Sequence, residues 1–310
     1  MNSSNDHSKS AQFPRESNAK GEFVRQESAF RRVVSADPTA EFPAVSGRYH
    51  LFVSLACPWA HRTIIVRKLK KLDDVISLSV VDPIRDELGW AFREGNGHGL
   101  DDLEGFRYLS EAYKKTDPDF DARVTVPVLW DKETKQIVNN ESSEILRMLN
   151  TEFAALTEET VDLYPEALRT EIDEVNQRVY DTVNNGVYRC GFASSQEAYG
   201  EAFDRLFDSL EWLDARLEGK NWLVADTQTE TDWRLFTTLI RFDAVYVGHF
   251  KCNKKRIADL PNVQSYLRHL YEQPGVAETV DFDHIKRHYY ETHKQLNPSG
   301  IVPKGPDLPF

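Results

Sequence analysis

One stretch, from Tyr49 to Val81, constrains the fold of this chain more than any other. Tyr49 to Leu55 reads as a buried strand, and Val75 to Val81 as a second strand that stops at Asp82-Pro83. Between them Pro58 to Leu72 reads as a helix, with Ile64, Ile65, Leu69 and Leu72 near one face. Strand, helix and strand at this spacing make a βαβ unit, a parallel pair joined by a crossover helix. Cys57 falls at the first strand-to-helix junction, with Pro58 at the first helical position, where its missing N–H costs nothing. The open N–H groups of the first turn and the positive end of the helix dipole would face the sulfur there and favour thiolate, the nucleophilic form. Position 60, where a resolving cysteine would stand, is alanine, so a second thiol must come from elsewhere, most simply from solution. A buried, inert cysteine is the competing reading; the Cys-Pro-aromatic-Ala context after a strand favours chemistry.

The following residues complete a sheet and then change character. An insertion from about Arg85 to Asp121 is rich in Gly, Asp and aromatic residues, and its Leu103–Lys115 part has a helical pattern. Val124 to Asp131 reads as a strand interrupted by Pro127, and a proline there marks an edge, a bulge or a cis turn. Gln136–Asn139 reads as its hairpin partner, and Asn140-Glu141-Ser142-Ser143-Glu144 opens a helix to about Leu149. Beyond Asn150, residues 165–218 and 231–290 are helix-like with few strand signals. The expected organisation is an extended arm over 1–45, partly ordered by Phe23, Phe30 and Val33-Val34, then an α+β domain over 46–155. An all-helical domain over 156–296 and an irregular, proline-containing tail over 297–310 follow.

Composition narrows the function classes. A net charge of −12 argues against broad nucleic-acid or membrane-surface binding. No apolar run approaches the roughly 18 residues that span a bilayer, and the polar start, Met1 to Lys20, carries no secretory signal. Cys57, Cys190 and Cys252 are odd in number and far apart, which suits neither a disulfide framework nor a zinc spacing. A reducing, cytoplasmic compartment is expected. Cys190 and Cys252 read as structural. His249, His284, His288 and His293 suggest no ligand set, so no metal is expected. His61 and Arg62 either raise the positive potential beside the thiol or sit solvated in the first helical turn.

Read as a thioredoxin-like sheet in βαβββα-type order with a long insertion, the first domain brings three features together. Val126-Pro127 would form a cis-proline loop beside Cys57, its backbone suited to an extended peptide. The helix start at Glu141-Ser142 could hold a carboxylate on its N–H groups and the Ser142 hydroxyl, and Glu141 an ammonium. Ordinary capping remains the alternative for that pair. A ligand with a thiol, a peptide backbone and an amino-acid head group satisfies all three features, and glutathione is such a molecule.

With these residues in view, the chain resembles the thiol-active glutathione transferases. More specifically it resembles the glutathionyl-hydroquinone reductases, or Xi class, on Ser54-Leu55-Ala56-Cys57-Pro58-Trp59-Ala60-His61-Arg62, Asn184-Asn185-Gly186-Val187-Tyr188 and Arg241-Phe242-Asp243-Ala244-Val245-Tyr246. The resemblance covers nearly everything from about Gly21 to the tail. It implies a thioredoxin-like domain followed by an all-α domain, glutathione as co-substrate, aromatic glutathionyl-hydroquinones as substrates, and a homodimer to which arm and tail could contribute. It gives Cys57 the nucleophile's role and places Trp90 over glutathione. Arg123, Val124, Thr125 and Val126 would line the peptide, and Glu141 and Ser142 would hold the γ-glutamyl head. Tyr188, Tyr246 and Tyr289 would reach toward the thiol, to stabilise thiolate or pass a proton. Two rivals stand beside this reading. One is an omega-like thioltransferase or dehydroascorbate reductase; the other is a non-catalytic protein of the same fold that binds hydrophobic ligands.

Overall fold

The computed structural model describes residues 16–308. The first fifteen residues of the expected arm, with most of the start on which the expected absence of a secretory signal rests, and the last two of the tail lie outside it. The first half holds β1 (Tyr49–Val53), α1 (Pro58–Leu69), β2 (Ser77–Val80), α2 (Leu109–Thr116), β3 (Val128–Asp131), β4 (Gln136–Asn139) and α3 (Ser142–Thr151). The strands lie in the order β2-β1-β3-β4. β1 is parallel to β2 and antiparallel to β3, with Leu51 opposite both Leu78 and Leu129. All of β1 is buried, as a central strand covered on both faces must be. The expected α+β sheet domain and the helical region after it are both present.

Two boundaries moved for local reasons. The insertion's helix begins at Leu109 rather than Leu103, because the Asp101 carboxylate accepts from the N–H groups of Leu103, Glu104 and Phe106 (3.2, 3.2 and 3.0 Å) and winds that stretch into a turn. Glu111 then accepts from the N–H groups of Arg107 and Tyr108 (both 2.9 Å) and starts the helix. With α2 counted, the order is βαβαββα. β3 begins only after Pro127, whose bond to Val126 is cis. Val124 to Val126 leave the ladder, and Thr125 is held through its backbone by Tyr113 Oη (2.8 and 3.1 Å).

The second half is built from α4 (Arg169–Val179), α5 (Gly186–Gly191), α6 (Gln196–Arg216), α7 (Glu230–Arg241), a short α8 (Val247–His249), α9 (Pro261–Tyr271) and α10 (Phe282–Thr292). α7 is apolar or buried nearly all round, which marks a central helix. Its start is fixed by Asp232, which accepts from the N–H groups of Thr229 (2.8 Å) and Leu223 (2.9 Å) and from Tyr266 Oη (2.7 Å). At Tyr180–Asn184 and at Phe242–Tyr246 the backbone widens to bonds that reach five residues back, from Asn185 N to Tyr180 O and from Val247 N to Phe242 O. Such wide turns re-aim the residues beside them. Here the neighbours are Tyr188, whose ring meets Trp59 of the first half (centroids 6.3 Å apart), and Tyr246, which packs on Tyr188 and Tyr289.

Candidate active site

The turn between β1 and α1 carries Cys57 at the helix N-cap, in extended conformation, with Pro58 opening the helix. Its thiol points across the turn to Val126 O, at 3.6 Å. Cys57 and Val126 border a cavity of about 250 Å³ whose walls also include Trp90, Arg123, Tyr188 and Tyr289. A second cavity of about 530 Å³ is bordered by Pro127, Glu141 and Ser142. Trp59, Thr125 and Val126 border both, so the two meet along the cis-proline loop. The expected site residues thus fall into two groups. Glu141 and Ser142 lie in the larger cavity, and Trp90, Val124, Tyr188 and Tyr289 share the smaller one with Cys57. Tyr246 borders neither cavity. It stands behind Tyr289, hydroxyl to hydroxyl at 2.9 Å, and Tyr289 in turn meets Tyr188 Oη at 2.6 Å. The three phenols form a chain that ends in the cavity at Tyr188. Burial, and next the Cys57 sulfur, push the Tyr188 phenol above its ordinary range; burial pushes Tyr246 and Tyr289 higher still. The chain therefore stays protonated at neutral pH.

Glu141 caps α3, accepting from Ser143 N (3.1 Å), Ser143 Oγ (2.9 Å) and Ser28 Oγ (2.9 Å). Burial works against its charge, but these bonds, together with the nearby Arg62 guanidinium, hold the carboxyl below the usual range. An anionic Glu141 is a ready partner for an ammonium. Arg123 is paired with Glu16 of the arm (2.6 Å), and Arg85 lies over the Trp90 ring at 5.2 Å. Burial, with Arg123 close by, pulls the Arg85 guanidinium down to about 9. Arg25, also from the arm, lies over Trp59 (4.6 Å) and Tyr188 (4.7 Å) and donates to Asn185 Oδ1 (2.9 Å). The arm is therefore folded onto the site of its own chain.

His61 and Arg62 are both buried, which removes the solvated reading. His61 accepts at Nδ1 from Arg241 Nη1 (3.0 Å) and so donates from Nε2 to Thr279 Oγ1 (2.7 Å). Burial, then the Arg241 charge, hold it far below its ordinary range, so it is neutral and adds no positive potential. Arg62 donates to Asn184 Oδ1 (2.8 Å) at the first wide turn. Arg241, at the end of α7, donates to Leu55 O and Ala56 O (2.9 Å each), the two carbonyls just before Cys57. It fixes the nucleophile's loop from the other half of the molecule. Arg241→Met leaves both carbonyls and His61 Nδ1 without this donor; at about 1 kcal/mol each, unfolding in urea should show a loss of about 3 kcal/mol. Cys190 and Cys252 are buried, and burial and the Cys190 neighbour push the Cys252 thiol up, as suits structural thiols.

Arg25, Arg85, Arg241 and His288 were not assigned to the site from sequence. Arg25, Arg85 and His288 sit on loops and a helix without a motif of their own; Arg241 opens the motif over 241–246, but nothing in that motif tells of its role, and only the fold brings the four to Cys57.

This fold and thiol site define a glutathione transferase. Residues 56–152 match the glutathione S-transferase N-terminal domain and residues 196–269 the C-terminal domain. The chain is 53% identical over 293 residues to the glutathionyl-hydroquinone reductase YqjG of Escherichia coli, covering 92% of this chain and 89% of that protein. The glutathione-bound structure of YqjG superposes with a TM-score of 0.88 over 90% of this chain and 94% of that one. Glutathionyl-hydroquinone reductase PcpF of Sphingobium chlorophenolicum is 51% identical over 94% of this chain and 91% of its own. The Xi glutathione transferase of Phanerochaete chrysosporium superposes with a TM-score of 0.93 at 48% identity, over 96% and 97% of the two chains. The chain belongs to the Xi-class glutathionyl-hydroquinone reductases.

Proposed function

We propose that this enzyme reduces S-glutathionyl-hydroquinones with glutathione, through a mixed disulfide on Cys57. One observation carries the reading. Cys57, at 3.6 Å from the cis-proline loop, shares its cavity with a phenol chain that ends in Tyr188. The peptide of the conjugate lies along Val124, Thr125 and Val126, its γ-glutamyl head on Glu141 and Ser142, and the aromatic ring in the smaller cavity beside Trp90. Arg123 answers the glycyl carboxylate, for which Glu16 must release it. The Cys57 thiolate attacks the glutathionyl sulfur; the sulfur–carbon bond breaks, its electron pair goes to the ring carbon, and Tyr188 supplies the proton there. Tyr289 and Tyr246 share the resulting charge by hydrogen bond, and the proton that the second glutathione loses on becoming a thiolate restores the Tyr188 phenol. A second glutathione thiolate then attacks the mixed disulfide, releasing oxidised glutathione and the Cys57 thiolate. Alanine at position 60 leaves no internal thiol to intercept that disulfide.

The same reading places the enzyme in the cytosol as a homodimer. All three cysteines are unpaired, as a reducing compartment requires, and among the described residues no helix is long and apolar enough to cross a membrane. The test uses the purified protein, glutathionyl-menadiol and reduced glutathione. Hydroquinone and oxidised glutathione are expected to appear one for one. Reduction of dehydroascorbate or simple mixed disulfides without release of hydroquinone would instead establish the omega-like activity.

A further inference from the structure

His288, on α10, borders the cavity that holds Cys57, Tyr188 and Tyr289. Its Nδ1 stands 2.6 Å from Pro83 O. A carbonyl only accepts, so Nδ1 carries the hydrogen, and a neutral ring then presents a bare lone pair at Nε2. Burial, with Arg85 adding to it, pulls this imidazole down to about 3, so it is neutral across the working range. No donor to Nε2 is found among the described residues, although His288 is only 7% exposed. The ring lies nearly parallel to the Trp90 indole, centroids 5.0 Å apart at 17°. A backbone bond and a stacked partner thus fix both the tautomer and the orientation.

The other polar groups on this wall are differently disposed. Arg85, Arg123 and Arg25 can only donate. Tyr188 and Tyr289 are bonded to each other, and the Glu16 carboxylate is taken by Arg123. The neighbouring His293 shares its Nδ1 with His249 Nε2 at 3.1 Å, a bond that either ring can donate, so no carbonyl fixes its tautomer. Ser17, Thr125 and Gln295 also border the cavity, but His288 Nε2 is an acceptor whose tautomer and ring plane are both fixed. A hydroquinone differs from a plain aryl group by hydroxyls that need an acceptor once they leave water.

Resting on the reductase reading above, we propose that His288 recognises a free hydroxyl of the substrate's aromatic ring, which donates to Nε2. This selects hydroxylated aryl conjugates of glutathione over plain ones and sets the ring against Trp90 with its glutathionyl sulfur toward Cys57.

The test isolates binding from chemistry. In a Cys57→Ser background, calorimetry compares S-glutathionyl-hydroquinone with S-phenylglutathione, which lacks both hydroxyls. A preference of about tenfold for the hydroxylated ligand is expected, the scale of one hydrogen bond. His288→Phe keeps a ring against Trp90 and should reduce the preference to within about twofold, while His288→Gln, which retains an acceptor, should restore most of it. Because both ligands are compared within each variant, a general loss of folding or of glutathione affinity cancels. An undiminished preference in His288→Phe, or none in the Cys57→Ser parent, overturns the assignment. Turnover of glutathionyl-menadiol by the unmodified enzyme tests the underlying reading separately, so the two can fail independently.

Discussion

Cys57→Ala should lower turnover of glutathionyl-menadiol by about 10⁴-fold or more, because no other residue can form the mixed disulfide. Cys190 and Cys252 are buried and border neither cavity. Tyr188→Phe separates the two bonds that the mechanism must break. Expelling an aryl ring requires a proton at carbon, and loss of a positioned acid typically costs about 10²-fold or more. Expelling a thiolate from a mixed disulfide requires no such proton, so with a glutathionyl mixed disulfide as substrate the same variant should lose less than about tenfold. The ratio of the two rates, measured on one preparation, is the readout. Equal losses on both substrates would move Tyr188 from proton donor to a stabiliser of the thiolate. Because burial raises the Tyr188 phenol, the aryl-expelling rate should not fall between pH 7 and 9 through loss of that proton.

The part of this molecule legible in the sequence is the part built from local rules. The βαβ unit could be read because five buried residues of β1, a proline at the helix start and a second apolar run leave few alternatives. Pro127 could be flagged because proline cannot sit in a ladder, although its cis bond followed from the fold-level reading. The role of Arg241 could not be read. Its guanidinium reaches Leu55 and Ala56 across about 185 residues of sequence, and no periodicity encodes such a meeting. The same holds for Tyr246, whose place behind Tyr289 depends on the wide turn at Phe242–Tyr246. His61 shows the opposite failure. Polar residues in a first helical turn are usually solvated, but here the second half of the molecule covers that turn, and the imidazole becomes a buried neutral link between Arg241 and Thr279.

Acid should begin to destabilise this protein below about pH 6.5, above the range in which carboxylates alone would act. Five histidines are held neutral by burial: His50 and His249 at about 4, His288 at about 3, and His61 and His293 well below their ordinary value. The surroundings oppose a further proton at several of them. His61 already receives the Arg241 N–H, and His249 and His293 face each other nitrogen to nitrogen at 3.1 Å. His50 Nε2 is buried without a partner in the described structure. Since the folded values are lowered, the stability these groups contribute is complete above about pH 6.5 and is lost as pH falls, because the unfolded chain binds the protons first. Two buried carboxyls oppose this. Burial raises Asp232 to about 6 and raises Asp243 as well, so the folded chain takes up protons there. Five less at most two leaves about three protons or more, or about 4 kcal/mol or more per pH unit below pH 6. A fall of that slope exhausts a stability of about 5–15 kcal/mol within a few pH units at most. Urea unfolding at several pH values should give the slope, and His249→Gln, which does not titrate, should reduce it by about one proton. Stability that stays level from pH 7 to pH 5 would show that these imidazoles keep their ordinary proton affinity in the fold, and would overturn the prediction.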